Sequence, residues 1–178
     1  MPPSAPDALE RARRVRLMIF DVDGVLTDGV LWYGANGEEG KAFHAFDGHG
    51  LKMLAANGVA TAILSGRRSA AVAARAAELG IKDVLQGIDE KLGAFQELVK
   101  QHGLKPEQAG YMGDELVDLP VLTRCGFACA PREAPETVRS RVHYVAAAPA
   151  GRGAAREVCE LVMRAQGTLE RALQGYLA

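Results

Sequence analysis

Cysteine is scarce in this chain. There are three, Cys125, Cys129 and Cys159. The number is odd and no C-x-x-C pair occurs, so a disulfide framework is excluded and the thiols read as reduced. Cys125 and Cys129 flank Gly126-Phe127-Ala128, an apolar strand-like segment, so their expected role is core packing. Surplus charge is missing as well. Lys plus Arg is 21 and Asp plus Glu is 22, a net charge of −1. No global basic field gathers nucleic acid or an anionic membrane, and neither is expected as a partner. A small anionic substrate would have to be held by local groups. Long apolar runs are absent too. No stretch approaches the ~18 uninterrupted apolar residues of a membrane span. Residues 1–16 carry Pro2, Pro3, Pro6 and then Glu10, Arg11, Arg13, Arg14 and Arg16, with no apolar core of a signal peptide behind them. The expected location is cytoplasmic. With no internal repeat, low-complexity tract or linker, residues 1–178 read as one domain, long enough to bury a real core. Residues 1–14 read as a flexible N-terminus and 167–178 as a C-terminal tail.

What is present is alternation. Short apolar runs at Val15–Phe20, Ala60–Leu64, Val84–Gln86, Ala109–Met112, Phe127–Ala130 and Val142–Val145 read as strands. Helical patterns lie between and after them, at Gly48–Asn57, Ser69–Leu79, Lys91–His102, Glu115–Arg124, Pro135–Arg139 and Ala154–Gln166. Continuous apolar strands separated by helices predict an α/β fold, a Rossmann-like parallel sheet covered on both faces in three layers. One segment breaks the rhythm. Residues 29–46, with Asn36-Gly37 at the centre and Trp32, Tyr33, Phe43 and Phe46 around it, predict a β-hairpin insertion.

In such sheets ligands bind beyond the carboxyl ends of the strands. Four strand ends carry polar groups. The first strand runs Leu17-Met18-Ile19-Phe20 and then delivers Asp21 and Asp23 into a Gly-containing turn. Two like charges that close need a cation, or one takes up a proton. The second strand ends at Ser65-Gly66-Arg67. Lys91 follows the third, after Gly87-Ile88-Asp89-Glu90. The fourth is followed by Gly113-Asp114-Glu115-Leu116-Val117-Asp118. Each has a plain alternative. Asp-x-Asp-Gly also suits an acidic turn or a calcium loop, Ser65 an N-cap, Lys91 a solvated helix start, and Gly-Asp-Glu an acid at a helix dipole. All four in this order, each beyond a parallel strand, favour one joint site.

The run Asp21-Val22-Asp23-Gly24-Val25-Leu26-Thr27-Asp28, with the other three motifs, resembles the haloacid dehalogenase superfamily of phosphatases over about residues 15–145. The resemblance implies that superfamily's fold and a catalytic set of Asp21, Asp23, Ser65 and Lys91. Asp21 would attack phosphorus and Asp23 would act as acid and base. Mg²⁺ would be held by Asp21, the main-chain carbonyl of Asp23, and Asp114. The spans 28–64 and 66–90 leave no room for the superfamily's cap domains, so a capless fold is expected.

Further strings narrow the match. Asn36-Gly37-Glu38-Glu39, Lys41-Ala42-Phe43, Asp47-Gly48-His49-Gly50-Leu51-Lys52, Ser65-Gly66-Arg67 and Gly151-Arg152-Gly153-Ala154-Ala155-Arg156-Glu157 resemble the 3-deoxy-D-manno-octulosonate 8-phosphate phosphatase family. That resemblance covers nearly the whole chain after Arg14. It implies a Mg²⁺-dependent phosphatase of a phosphorylated sugar acid in lipopolysaccharide synthesis, assembled as a homotetramer. It also implies substrate contacts from His44, Ala45, Phe46, Asp47, Gly48, Lys52, Gly66, Arg67, Arg75 and Lys91. Two positions depart from the family pattern. Glu115 stands where Asp is common, and Phe46 where some relatives carry a basic residue. Two other readings remain at this point: the same chemistry on a nine-carbon nonulosonate 9-phosphate, or a non-catalytic tetramer-forming domain.

Overall fold

Leu17-Met18-Ile19-Phe20 forms the middle of a parallel sheet. The computed structural model describes residues 5–37 and 39–177. In chain order it runs α1 (Ala5–Arg14), β1 (Leu17–Phe20), β2 (Trp32–Tyr33), β3 (Glu39–Gly40), α2 (Ala45–Ala56), β4 (Ala60–Ser65), α3 (Ala70–Leu79), β5 (Asp83–Gln86) and α4 (Lys91–Gln101). It continues with β6 (Ala109–Met112), α5 (Leu119–Leu122), β7 (Phe127–Ala130), α6 (Glu136–Arg139), β8 (Tyr144–Val145), α7 (Ala154–Ala165) and α8 (Leu169–Gln174). Six strands pair in the order β5-β4-β1-β6-β7-β8, each pair parallel. β2 and β3 form a separate antiparallel pair.

Side chains alternate along β1. Leu17 and Ile19 enter one core with Phe95, Leu98, Tyr111 and Val121. Met18 and Phe20 enter the other with Leu51, Leu54, Val158 and Val162. Burial on both faces explains why the strand reads as a continuous apolar run. Each fully buried large side chain contributes roughly 1.5–3 kcal/mol. The result is three layers, with α4, α5 and α6 on one face and α1, α2, α3 and α7 on the other. Strand order reverses at β1, between β4 and β6, and the residues that follow these strands share one end of the sheet.

Several sequence expectations change in extent. The hairpin strands are two residues each, and the chain enters α2 at Ala45 rather than pairing through Phe46. The cause is His44, whose Nδ1 accepts the Phe46 N–H at 3.2 Å and caps the helix. Glu115–Arg124 is not one helix. A 3₁₀ turn at Leu116–Asp118 precedes α5, because Pro120 lacks an N–H and the Asp118 carboxylate captures the N–H groups of Asp114 and Glu115. Within the stretch 1–14 expected to be flexible, residues Ala5–Arg14 form α1, with Ala8 and Ala12 buried. The first four residues lie outside the described ones. The expected tail carries α8, with Leu169 buried. The three cysteines are free and buried. Among the described residues the spans 28–64 and 66–90 hold no additional domain, and no helix is long and apolar enough to cross a membrane.

Candidate active site

Asp21 is the first residue past β1, and its N–H donates to Met112 O of β6 at 3.0 Å. Its carboxylate is buried. Oδ1 accepts from the Val22 N–H at 2.7 Å, and Oδ2 stands 2.9 Å from Lys91 Nζ. Lys91 opens α4 and is buried. The same ammonium donates to Asp118 Oδ1 at 2.7 Å. Tyr111, in β6, donates its hydroxyl to that oxygen at 2.6 Å. Asp118 Oδ2 takes the N–H groups of Asp114 and Glu115, each at 3.1 Å. Asp118 is therefore saturated by internal donors, and it fixes both Lys91 and the loop that carries Asp114.

Asp21, Asp114 and Asp118 each bring a carboxylate oxygen to within 4.8 Å of the others. One ammonium faces three carboxylates. Burial, with the Asp118 charge behind it, lifts Asp21 to about 6 against the pull of Lys91. Burial, then Asp21 and Asp118, lift Asp114 to about 8. Burial opposes the Lys91 charge, yet the carboxylates outweigh it and hold that ammonium above its ordinary value. Asp114 Oδ1 is buried without a hydrogen-bond partner. A dipositive ion with a taste for oxygen fits this set on both counts: it supplies the missing positive charge and occupies the unpartnered oxygen.

Above this cluster lies a cavity of about 210 Å³ lined by Asp21, Asp23, Ser65, Gly66, Arg67, Lys91, Asp114, Glu115 and Val117. Five sequence-predicted groups thus meet here: the two acids of the first loop, the Ser65-Gly66-Arg67 strand end, Lys91 and Asp114. Ser65 is buried, and its Oγ accepts the Arg67 N–H at 3.4 Å. Arg67 Nε stands 3.9 Å from Asp23 Oδ2. Lys41, from the hairpin, pairs with the other oxygen of Asp23.

The remaining predicted contacts gather elsewhere in the chain. His44, Ala45, Phe46, Asp47, Gly48 and Lys52 lie on the first turns of α2 or its cap. Arg75 donates to His44 O at 3.3 Å and pairs with Glu78. Gly48 makes room for it, since a Cβ there would run into Arg75 Nη2. Asp47 is turned inward and holds the start of α7 through the Gly153 and Arg156 N–H groups, at 3.1 and 2.9 Å. Phe46 and Lys52 are exposed. Within one chain these residues do not line the cavity of the acids.

Three residues of the site were not assigned by sequence. Asp118 has a signal, because it stands four residues after Asp114 in the same string. Lys41 and Tyr111 have little, since their value lies in which carboxylate they reach.

A parallel sheet with its middle strand ending in Asp-x-Asp, joined there by a serine, a lysine and an acidic loop, is the haloacid dehalogenase arrangement. A Legionella pneumophila hydrolase assigned to that superfamily superposes with a TM-score of 0.93 at 40% identity, over 97% of this chain and 94% of its own. The Yersinia pestis 3-deoxy-D-manno-octulosonate 8-phosphate phosphatase is 43% identical over 170 residues, 96% of this chain and 91% of that protein. The Moraxella catarrhalis enzyme of the same name, solved in complex with a magnesium ion, a phosphate ion and a KDO molecule, superposes with a TM-score of 0.95 at 38% identity. That match covers 97% of this chain and 99% of the other. No protein-family model matches the chain. At this identity and coverage the chain belongs to the 3-deoxy-D-manno-octulosonate 8-phosphate phosphatase family.

Proposed function

We propose that this protein is a Mg²⁺-dependent phosphatase. It hydrolyses 3-deoxy-D-manno-octulosonate 8-phosphate to the free sugar acid and inorganic phosphate, a step of lipopolysaccharide synthesis in the cytoplasm. The observation that carries the reading is the buried, unpartnered Asp114 Oδ1 beside Asp21, in a chain 43% identical to a phosphatase of that name.

In this reading Asp21 Oδ attacks phosphorus in line and forms an aspartyl phosphate, while the ester oxygen leaves. Asp23 gives that oxygen a proton. Asp23 then takes a proton from the water that attacks the intermediate, and Asp21 and phosphate are released. Lys91 keeps Asp21 ionised in spite of its burial and offers the phosphoryl group a point charge. Ser65 and the N–H groups beside it receive phosphate oxygens. Asp21, Asp114 and the Asp23 carbonyl would hold Mg²⁺, which supplies charge neutralisation for the transferring phosphoryl group. Gly66 and Arg67 meet the substrate from the same chain.

The family's other contacts, His44 through Gly48, Lys52 and Arg75, serve a neighbouring subunit's cavity in a homotetramer. Exposure supports this: Trp32 is 63% exposed, Tyr33 60% and Phe46 65%, a large apolar surface for one small domain to leave in water. The test is phosphate release from a panel of eight- and nine-carbon phosphorylated sugar acids with Mg²⁺ present. Preference for the eight-carbon ester supports the proposal. Preference for a nine-carbon ester moves the substrate, and no release from any of them removes the activity.

A further inference from the structure

Lys41 follows directly on β3 and turns inward. Its side chain is 1% exposed, and its ammonium sits between Asp23 Oδ1 and Glu39 Oε1. The opposite oxygen of Asp23 faces Arg67 Nε at 3.9 Å, and Tyr33 OH holds Arg67 Nη1 at 3.1 Å. Both cations that flank Asp23 are therefore tied to the hairpin, Lys41 by sequence and Arg67 through Tyr33. They are not equivalent. The Arg67 side chain is 47% exposed and free to turn toward a ligand. Lys41 is enclosed, and a buried ammonium that leaves its carboxylates is strongly penalised. The Asp23 carboxyl group is thus pinned on the side facing the hairpin.

We propose that Lys41 is a positioning residue, holding the Asp23 carboxyl group in the orientation from which it exchanges protons with the leaving oxygen and the attacking water. The inference rests on the reading of Asp23 as acid and base. In the first step an Asp21 oxygen bonds to phosphorus as the phosphorus–oxygen ester bond breaks, the ester's electron pair stays on the leaving oxygen, and the Asp23 proton joins it. In the second step water adds to phosphorus, the bond to Asp21 breaks with its pair returning to Asp21, and Asp23 regains a proton. Proton transfer requires the donor within hydrogen-bond reach and aimed. Only the first step depends on the leaving group, and kcat/KM reports steps up to that bond cleavage. p-Nitrophenoxide departs without a proton, whereas an alkoxide does not.

The experiment measures kcat/KM for Lys41→Met on phosphate monoesters of graded leaving groups, from p-nitrophenyl through phenyl to an alkyl ester, at saturating Mg²⁺. The loss should grow as the leaving group becomes more basic. On the alkyl ester it should reach about tenfold or more, part of the roughly 10²–10⁴-fold that general acid catalysis supplies, and stay within about twofold on p-nitrophenyl phosphate. A uniform loss, or none, overturns the proposal. Tyr33→Phe, which cuts the other tie between hairpin and site, should show no such trend. Equal trends in the two variants would assign the effect to a displaced hairpin and also overturn it. Asp23→Asn in the same series separates the two levels. A trend there beside a flat Lys41→Met series sinks the Lys41 proposal alone. A flat series for Asp23→Asn removes the acid reading and the proposal with it.

Discussion

Gly24 lies against Asp114: a Cβ built on Gly24 would run into Asp114 Oδ2. The same residue turns the chain with φ of +83°, a conformation that side chains other than glycine rarely adopt. Gly24→Ala therefore combines backbone strain of about 1–3 kcal/mol with displacement of a proposed metal ligand. The expected protein folds, with near-native circular dichroism, but needs markedly more Mg²⁺ for half-maximal activity. An unchanged Mg²⁺ titration would show that the carboxylate of Asp114 does not need its present place.

Asp21→Asn should abolish turnover by at least roughly 10⁴-fold, the scale seen when a nucleophile is removed, with the fold intact. An amide is a poor nucleophile and a neutral ligand. The side chain sits past the end of β1, so its replacement empties no core. Phosphate release by the purified variant near the normal rate would defeat the mechanism.

Asp118 is the structural keystone of the acids. It accepts from Lys91, Tyr111 and two main-chain N–H groups. Asp118→Ala leaves a buried ammonium short of a partner, a change that costs about 3–5 kcal/mol. For a chain of this size that lowers Tm by roughly 6–20 °C. Asp114→Ala should instead leave stability equal or higher in the metal-free protein, because it deletes a charge that burial disfavours. Thermal unfolding of both variants without metal checks the contrast, and equal losses would refute it.

The strands that carry the site were readable because they are buried on both faces. Leu17-Met18-Ile19-Phe20, Ala60–Ser65 and Ala109–Met112 leave little room for another reading, and each hands a polar residue to the same end of the sheet. α1 was less legible. Its buried side is only Ala8 and Ala12, both small, set among charges whose i,i+4 pairs, Asp7–Arg11 and Glu10–Arg14, support the helix. The inward turn of Lys41 and the saturation of Asp118 are products of tertiary packing. Nothing periodic in the sequence records them. The spread of the expected substrate contacts over two places was equally hidden, since spacing along α2 does not say which cavity, or whose, the helix faces.

Stability should depend on pH in a way that Mg²⁺ removes. In the metal-free fold Asp114 is pushed up to about 8 and Asp21 to about 6, both from 3.8. Between these limits the folded chain binds more protons than the unfolded one, so stability falls as pH rises from about 4 to about 8. Metal binding requires the ionised carboxylates and releases those protons. Metal-free Tm should thus be higher near pH 5.5 than near pH 8.5, and added Mg²⁺ should raise Tm more at the higher pH. Calorimetry in buffers of different ionisation enthalpy should register proton release near neutrality. A metal-free Tm that climbs with pH over this range would contradict the assignment.

Arg75 and Asp21 belong to one reaction only if subunits share sites. Arg75 is committed to His44 O at the start of α2 and to Glu78 on its own helix α3, and does not line the cavity of Asp21 in its own chain. Arg75→Ala should weaken the sugar-acid phosphate far more than p-nitrophenyl phosphate, because the aryl ester has no carboxylate for a guanidinium to hold. Loss of one charge-assisted contact is worth roughly 1.5–3 kcal/mol, about tenfold to a hundredfold. Asp21→Asn subunits keep Arg75, and Arg75→Ala subunits keep Asp21. Unfolded together and refolded, the inactive Asp21→Asn and the impaired Arg75→Ala preparations should form hybrids whose activity on the sugar-acid ester exceeds that of either alone. Each working cavity would then pair one chain's Asp21 with a neighbour's Arg75. Trp32→Glu, placed in the exposed hairpin, should dissociate the assembly and abolish this rescue. Mixtures no more active than their components, or light scattering that shows a fully active monomer, would confine the site to one chain and leave Arg75 a role in holding α2.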